Sequence, residues 1–214
     1  MKISSLINHA FNFVIQTSKK YNIDESHALK HSMDVFHYAN QIYSYESIKN
    51  PFLLEQKEVV YVASIIHDMC DKKYMNEEKG VEEIKVYMQD YMSLANLNAV
   101  CDIVSTMSYS KVQRCGYPDL LEYQTCYHIV READLLAGYD VERCIIYQIM
   151  HEKYNYSDSL EKMMELFNKR ILKYINDDLF TTEYSKQESK LLHIKALKDI
   201  QYIKRIMRCT DDSE

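Results

Sequence analysis

"YVASIIHDMCDKKYMNEE", residues 61–78, holds two textures side by side. An apolar run through Ile66 leads straight into His67-Asp68, and a dense patch of charge follows at once. A helix that buries Val and Ile has no packing reason to close on an imidazole beside a carboxylate, because both are costly to bury without partners. The pair is therefore either a helix end or two ligands of a metal, and the surrounding sequence has to decide.

Working outward, the composition fixes the class. Only three Gly and two Pro occur in 214 residues. These residues punctuate turns, and a β-rich fold needs many of them, so their scarcity predicts an all-α protein built of long helices. Hydrophobic residues make up 47% and charged residues 27% of the chain, ordinary globular usage that argues against disorder. Apolar spacing predicts helices over about 4–20, 24–46, 54–70, 79–93, 96–108, 119–138, 140–154, 157–176 and 182–208. Asp24 is the expected N-cap of the second. The simplest organisation is one domain over 1–155 followed by a C-terminal helical extension, 156–214, packed on the same core. Ile194, Leu197, Ile200 and Ile203 in the last helix are spaced like a seam, which suits a homodimer and core packing equally.

The charge balance is 26 basic to 32 acidic residues, net −6. That excludes a nucleic-acid-coating protein and leaves small ligands open. Six scattered cysteines with no CxxC pair read as reduced thiols. The opening stretch is broken by Asn, His and Gln and is expected to be neither signal peptide nor membrane span. A soluble, cytoplasmic protein is the expectation.

An isolated His-Asp pair means little, since chance supplies about 0.6 of them in a chain of this composition. Its companions carry the weight. His31 lies on an apolar helix face with Ala28 and Val35. His67 shares a face with Val60 and Ala63, and Asp134 one with Tyr127 and Val130. Each taken singly is best read blandly: a core histidine on a backbone carbonyl, or an aspartate paired with Arg131. Taken together with Asp68, three inward polar residues on three helices are better satisfied by one shared divalent cation. His27, four residues before His31, lines the pocket or its rim. His9, His37, His151 and His193 lack neighbours at useful spacing.

The order His31 … His67-Asp68 … Asp134 resembles the H…HD…D signature of the HD superfamily of metal-dependent phosphohydrolases. "SHALKHSMDVFHYA" is similar to that family's first-helix pattern. "IIHDMCDKKY" resembles the HD-x-x-D-x-K-F form of the small YpgQ-like subgroup, and "READLLAGYD" its final A-D-x-L segment. The likeness covers about residues 20–140. It implies an all-α HD-domain helical bundle with one divalent transition metal (Mn, Ni, Fe, Co or Zn) held by His31, His67, Asp68 and Asp134. It implies hydrolysis of a phosphoester or phosphoanhydride in a small phosphorylated molecule, a nucleotide above all. Nucleoside triphosphate pyrophosphohydrolase and nucleotidase activities are both open. Relatives carry an acid beside the attacking water where Asp71 stands, which gives it acid–base or water-positioning work beside the catalytic Asp68. Lys73 matches the family's Lys and is the first choice for a phosphate contact, with Lys111 second. The alternatives are a phosphodiesterase of cyclic or oligomeric nucleotides, or a metal- and nucleotide-binding sensor without turnover.

Two departures narrow the resemblance. "CGYP" (115–118) invites comparison with the HD-GYP phosphodiesterases, yet the HDIGK segment and the further histidines before the tripeptide are missing. GYP then reads as a turn, with Gly116 for backbone freedom and Pro118 opening the next helix. Alarmone hydrolases resemble HDxxED, and Asp71-Lys72 lacks the second acid.

Overall fold

The computed structural model describes residues 2–211, with side chains described through residue 207. Every regular element among them is helical. The chain divides into two compact units, Met1–Ala137 and Gly138–Glu214.

The first unit is organised around its most apolar element. Helix α3 (Lys57–Ile66) buries every residue from Val59 to Ile66. A helix that is hydrophobic all round belongs inside other helices. It packs against α1 (Ile3–Tyr21), α2 (Leu29–Lys49), α5 (Leu94–Thr106) and α7 (Gln124–Ala137), and α2 and α7 also pack on each other. Val59, Val60, Val62, Ile65 and Ile66 are all fully buried, and each such side chain contributes about 1.5–3 kcal/mol. α2 gives the same core His31, Val35, Ala39, Ile42 and Tyr43, a stripe at helical spacing whose first member is polar.

Several boundaries differ from the sequence expectation for local reasons. α2 begins at Leu29, not at 24, and Asp24 is not its N-cap. Its carboxylate instead closes a tight turn, accepting the Ser26 N–H at 3.0 Å and the Ser26 hydroxyl at 2.5 Å. An Asp side chain that bonds two residues onward competes with helix initiation. α3 stops at Ile66, and residues 67–75 form successive turns in which the Asp71 N–H donates to the Asp68 carbonyl and the Tyr74 N–H to the Asp71 carbonyl. A short helix, α6 (Tyr109–Cys115), stands where a loop was expected. Gly116 ends it at φ 76°, the left-handed freedom expected of that glycine. Pro118 does not open a helix, because α7 starts only at Gln124 after a short 3-10 turn at Leu121–Tyr123.

The second unit carries α8 (Val141–Met150), α9 (Tyr156–Lys169) and α10 (Glu183–Asp211). α8 packs on α9 and on α10. Of the expected seam on α10, Ile200 is buried beside Ala196, whereas Ile194 and Leu197 are exposed. The side chain of Cys209 lies outside the described residues. No helix among the described residues is long and apolar enough to cross a membrane.

α4 (Glu77–Met88) clamps the turn that follows α3. Its N-cap Asn76 accepts the Lys79 N–H at 2.9 Å, and Gly80 meets the turn so closely that a Cβ there would lie 2.7 Å from Cys70 Cα. Gly80→Ala is therefore expected to destabilise the protein by about 1–3 kcal/mol despite its gain in helix propensity. Urea denaturation checks this, and an alanine variant as stable as the parent would show that the contact relaxes freely.

Candidate metal centre

Three helices deliver one cluster. His31 stands in the first turn of α2, His67 is the residue that ends α3, and Asp134 lies near the end of α7. Because α2, α3 and α7 pack mutually, the three side chains meet. One ligand atom from each of His31, His67 and Asp134 falls within 4.8 Å of the others. The Nε2 atoms of His31 and His67 face each other at 3.1 Å. Asp134 Oδ1 lies 3.2 Å from the first and 3.8 Å from the second, and Asp68 Oδ2 lies 3.4 Å and 3.3 Å from them. Both imidazoles are buried, while the Asp134 side chain is 24% exposed, so the cluster opens on its carboxylate side.

The hydrogen bonds fix how the ligands are presented. His67 Nδ1 donates to the Ser64 carbonyl at 2.9 Å, one turn back on α3, which turns Nε2 into the cluster as the nitrogen that takes up a proton or a metal. Asp68 Oδ2 is buried, and neither imidazole approaches it with hydrogen-bond geometry. A buried carboxylate oxygen in that condition, between two imidazole nitrogens and a second carboxylate, fits a divalent cation with nitrogen and oxygen ligands. The helix ends help, since the positive end of α2 favours carboxylates there and the negative end of α3 favours charge on His67.

The proton affinities follow the charges brought together in the cluster. Burial lowers the His67 pKa, but the Asp68 and Asp134 carboxylates outweigh it and raise the imidazole from 6.5 to about 9. Burial opposes ionisation of Asp68 and Asp134, yet the neighbouring histidines hold both well below the usual carboxylate range. A proton on His67 thus stands in for a cation.

The other predicted residues lie on the turns around this cluster. Asp71 Oδ1 accepts the Lys73 N–H at 2.9 Å, and Asp71 Oδ2 lies 3.5 Å from Lys73 Nζ. Lys73 Nζ reaches His27 Nε2 at 2.9 Å, and the His27 ring stands edge-on to His31 at 6.1 Å. Lys111, on α6, is bound to Glu77 and to the Ser105 carbonyl, so it ties α6 to the start of α4 and the end of α5. Arg131 is buried with its guanidinium 4.8 Å from the Tyr117 ring centre and 3.5 Å from Glu132, while Asp134 faces the imidazoles. Sequence reasoning missed Ser26 and Tyr74. Tyr74 donates to Asp24 at 2.9 Å, and burial followed by that carboxylate raises its pKa. The Asp-x-Ser spacing in "DESH" is a local signal for Ser26, whereas no local pattern points to Tyr74.

The fold and the cluster define an all-α bundle with a His/His/Asp group able to hold a metal ion. Among solved structures, Bacillus subtilis YpgQ is similar over 96% of this chain and 97% of its own, with TM-score 0.63 and 17% identity. A structural-genomics target from Lactobacillus plantarum is similar over 96% and 98%, with TM-score 0.65 and 15% identity. At those identities the likeness is one of fold. No family model and no curated protein matches the sequence.

The shifted protons set a pH signature. In chelator-treated protein the His67 contribution is complete below its ordinary pKa of 6.5 and is lost as pH rises towards about 9. The two lowered carboxylates contribute above their ordinary value of 3.8 and lose that contribution as pH falls. The melting temperature of metal-free protein should therefore decline between pH 6.5 and 9, and added Mn²⁺ should remove the decline by replacing the proton. Differential scanning fluorimetry across that range checks it, and a flat metal-free profile would contradict the buried charge arrangement.

Proposed function

We propose that this protein is an HD-type metal-dependent phosphohydrolase acting on a small phosphorylated molecule, most directly a nucleotide. The observation that carries the reading is the convergence of His31, His67, Asp68 and Asp134, in the chain order H…HD…D, on one buried point with an open side. Those four residues would hold one divalent cation. When bound, it supplies Lewis acidity toward a phosphoryl oxygen and makes a water nucleophile accessible near neutral pH.

The remaining work falls to residues of the turns. Asp71, three positions past Asp68, is the carboxylate assigned to orient water and take up its proton. Lys73 offers a cation to the phosphate, and its bond to His27 keeps it beside the ligand histidine His31. Lys111 is already compensated by Glu77 and is the weaker candidate for that contact. Buried imidazoles on one side and a partly exposed Asp134 on the other favour approach of the substrate from the carboxylate side.

Protein purified without chelator should contain one metal ion per chain and release phosphate from particular nucleotides with added Mn²⁺. Running the panel with and without pyrophosphatase separates a triphosphate pyrophosphohydrolase from a nucleotidase. Asp68→Ala should cut turnover by more than about a hundredfold with helicity unchanged. Undiminished turnover in that variant would sink the assignment, and cleavage of bis-p-nitrophenyl phosphate alone would replace it with a diesterase.

A further inference from the structure

Behind Lys73 stands a network that the hydrolase reading does not use. Asp24 accepts three bonds: the Ser26 N–H and hydroxyl on Oδ1 at 3.0 Å and 2.5 Å, and the Tyr74 hydroxyl on Oδ2 at 2.9 Å. Each of those hydroxyls has its proton directed at the carboxylate, so each presents its oxygen as an acceptor. The same two oxygens lie at His27 Nδ1, Ser26 Oγ at 2.7 Å and Tyr74 Oη at 3.1 Å. Two acceptors at one ring nitrogen require that nitrogen to carry the proton. His27 is thereby held with N–H at Nδ1 and a lone pair at Nε2, and that lone pair meets Lys73 Nζ at 2.9 Å.

We infer that Asp24, acting through the hydroxyls of Ser26 and Tyr74, fixes His27 as the acceptor that aims the Lys73 ammonium at a substrate phosphate. Asp24, Ser26 and Tyr74 are positioning residues: they act through His27 and Lys73. The inference rests on the reading above that Lys73 meets phosphate.

The physical reason for such a tether is the lysine itself. Lys73 is exposed, and an exposed lysine carries rotamer freedom that a phosphate contact would have to overcome. Two bonds reduce that freedom before substrate arrives, one to His27 and one toward Asp71. The tether is rigid where the lysine is not, because Ser26 and His27 are buried. It also has the correct address, since the His27 ring packs edge-on against His31. The other tautomer, with the proton on Nε2, would set an N–H against the ammonium and release Lys73 to solvent.

A double-mutant cycle separates positioning from simple support of the fold. The probe is inorganic pyrophosphate, titrated calorimetrically into full-length protein purified with its metal. Tyr74→Phe keeps the ring and removes only the hydroxyl, and it should raise Kd about tenfold, as should Asp24→Asn. In a Lys73→Ala background neither change should weaken binding further, and metal content should stay at one ion per chain throughout. Should Tyr74→Phe fail to fold, Ser26→Ala reads the same coupling from the other hydroxyl. Equal losses in both backgrounds, loss of metal from the Tyr74 variant, or no pyrophosphate binding by the parent protein would each overturn the inference. Failure of the hydrolase reading is distinguishable: coupling without any turnover leaves the positioning intact and removes the catalysis, whereas turnover with additive losses removes only the positioning.

Discussion

Two imidazole nitrogens 3.1 Å apart cannot both carry a proton, and two carboxylates beside them cannot be left without a compensating charge. The first unit depends on resolving that conflict, because the residues concerned sit where α2, α3 and α7 pack on one another. A single positive charge at the centre resolves it. A proton on His67, whose pKa the neighbouring carboxylates raise to about 9, supplies one such charge. A divalent ion would do the same while engaging both imidazoles and the carboxylates beside them.

The packing explains why the cluster can be this strained and persist. α3 is buried on all sides, so the position of its last residue is fixed by hydrophobic contacts made along its whole length. His67 has no freedom to swing away, and its Nδ1 bond to Ser64 removes the remaining ring rotation. The turn after it is held from outside by Gly80, whose lack of a side chain lets α4 approach Cys70. Helix burial thus locates the nitrogen ligands, while the turn through residues 67–75 locates Asp68, Asp71 and Lys73. An error in one of these supports would be felt at the other through a single residue step, His67 to Asp68.

What could be read from the sequence follows that division. The helical class and the His31, His67 and Asp134 group were legible, because apolar periodicity places those three residues on inward faces and because scarce Gly and Pro leave little room for strands. Boundaries were less legible where side chains compete with the helix. Asp24 has the residue type and place of an N-cap, yet its carboxylate is drawn to Ser26 and Tyr74, and Tyr74 lies fifty positions away in the chain. α6 was hidden inside a charged stretch that reads as loop, since Lys111 is stabilised there by Glu77 and not by any local pattern. Long-range polar partners leave no periodic trace, which is also why the network behind His27 could not be anticipated.

For the phosphorylated substrate proposed above, charge decides which of the surrounding groups matter. Two aspartates and a divalent ion sum to zero, so a filled centre would polarise a phosphate without attracting it over distance. The chain as a whole is acidic, with net charge −6, and offers no broad positive field to compensate. Attraction of that substrate would then come from nearby: the amino-terminal end of α2, which carries partial positive charge, and the lysines of the surrounding turns. Lys111 is bound to Glu77, whereas Lys73 meets the His27 imidazole at 2.9 Å and the Asp71 carboxylate at 3.5 Å. Holding a lysine with a neutral acceptor keeps its charge available, which an ion pair at the same place would cancel. That difference makes the tautomer of His27, and so the carboxylate of Asp24 behind it, an electrostatic component of the site as much as a structural one.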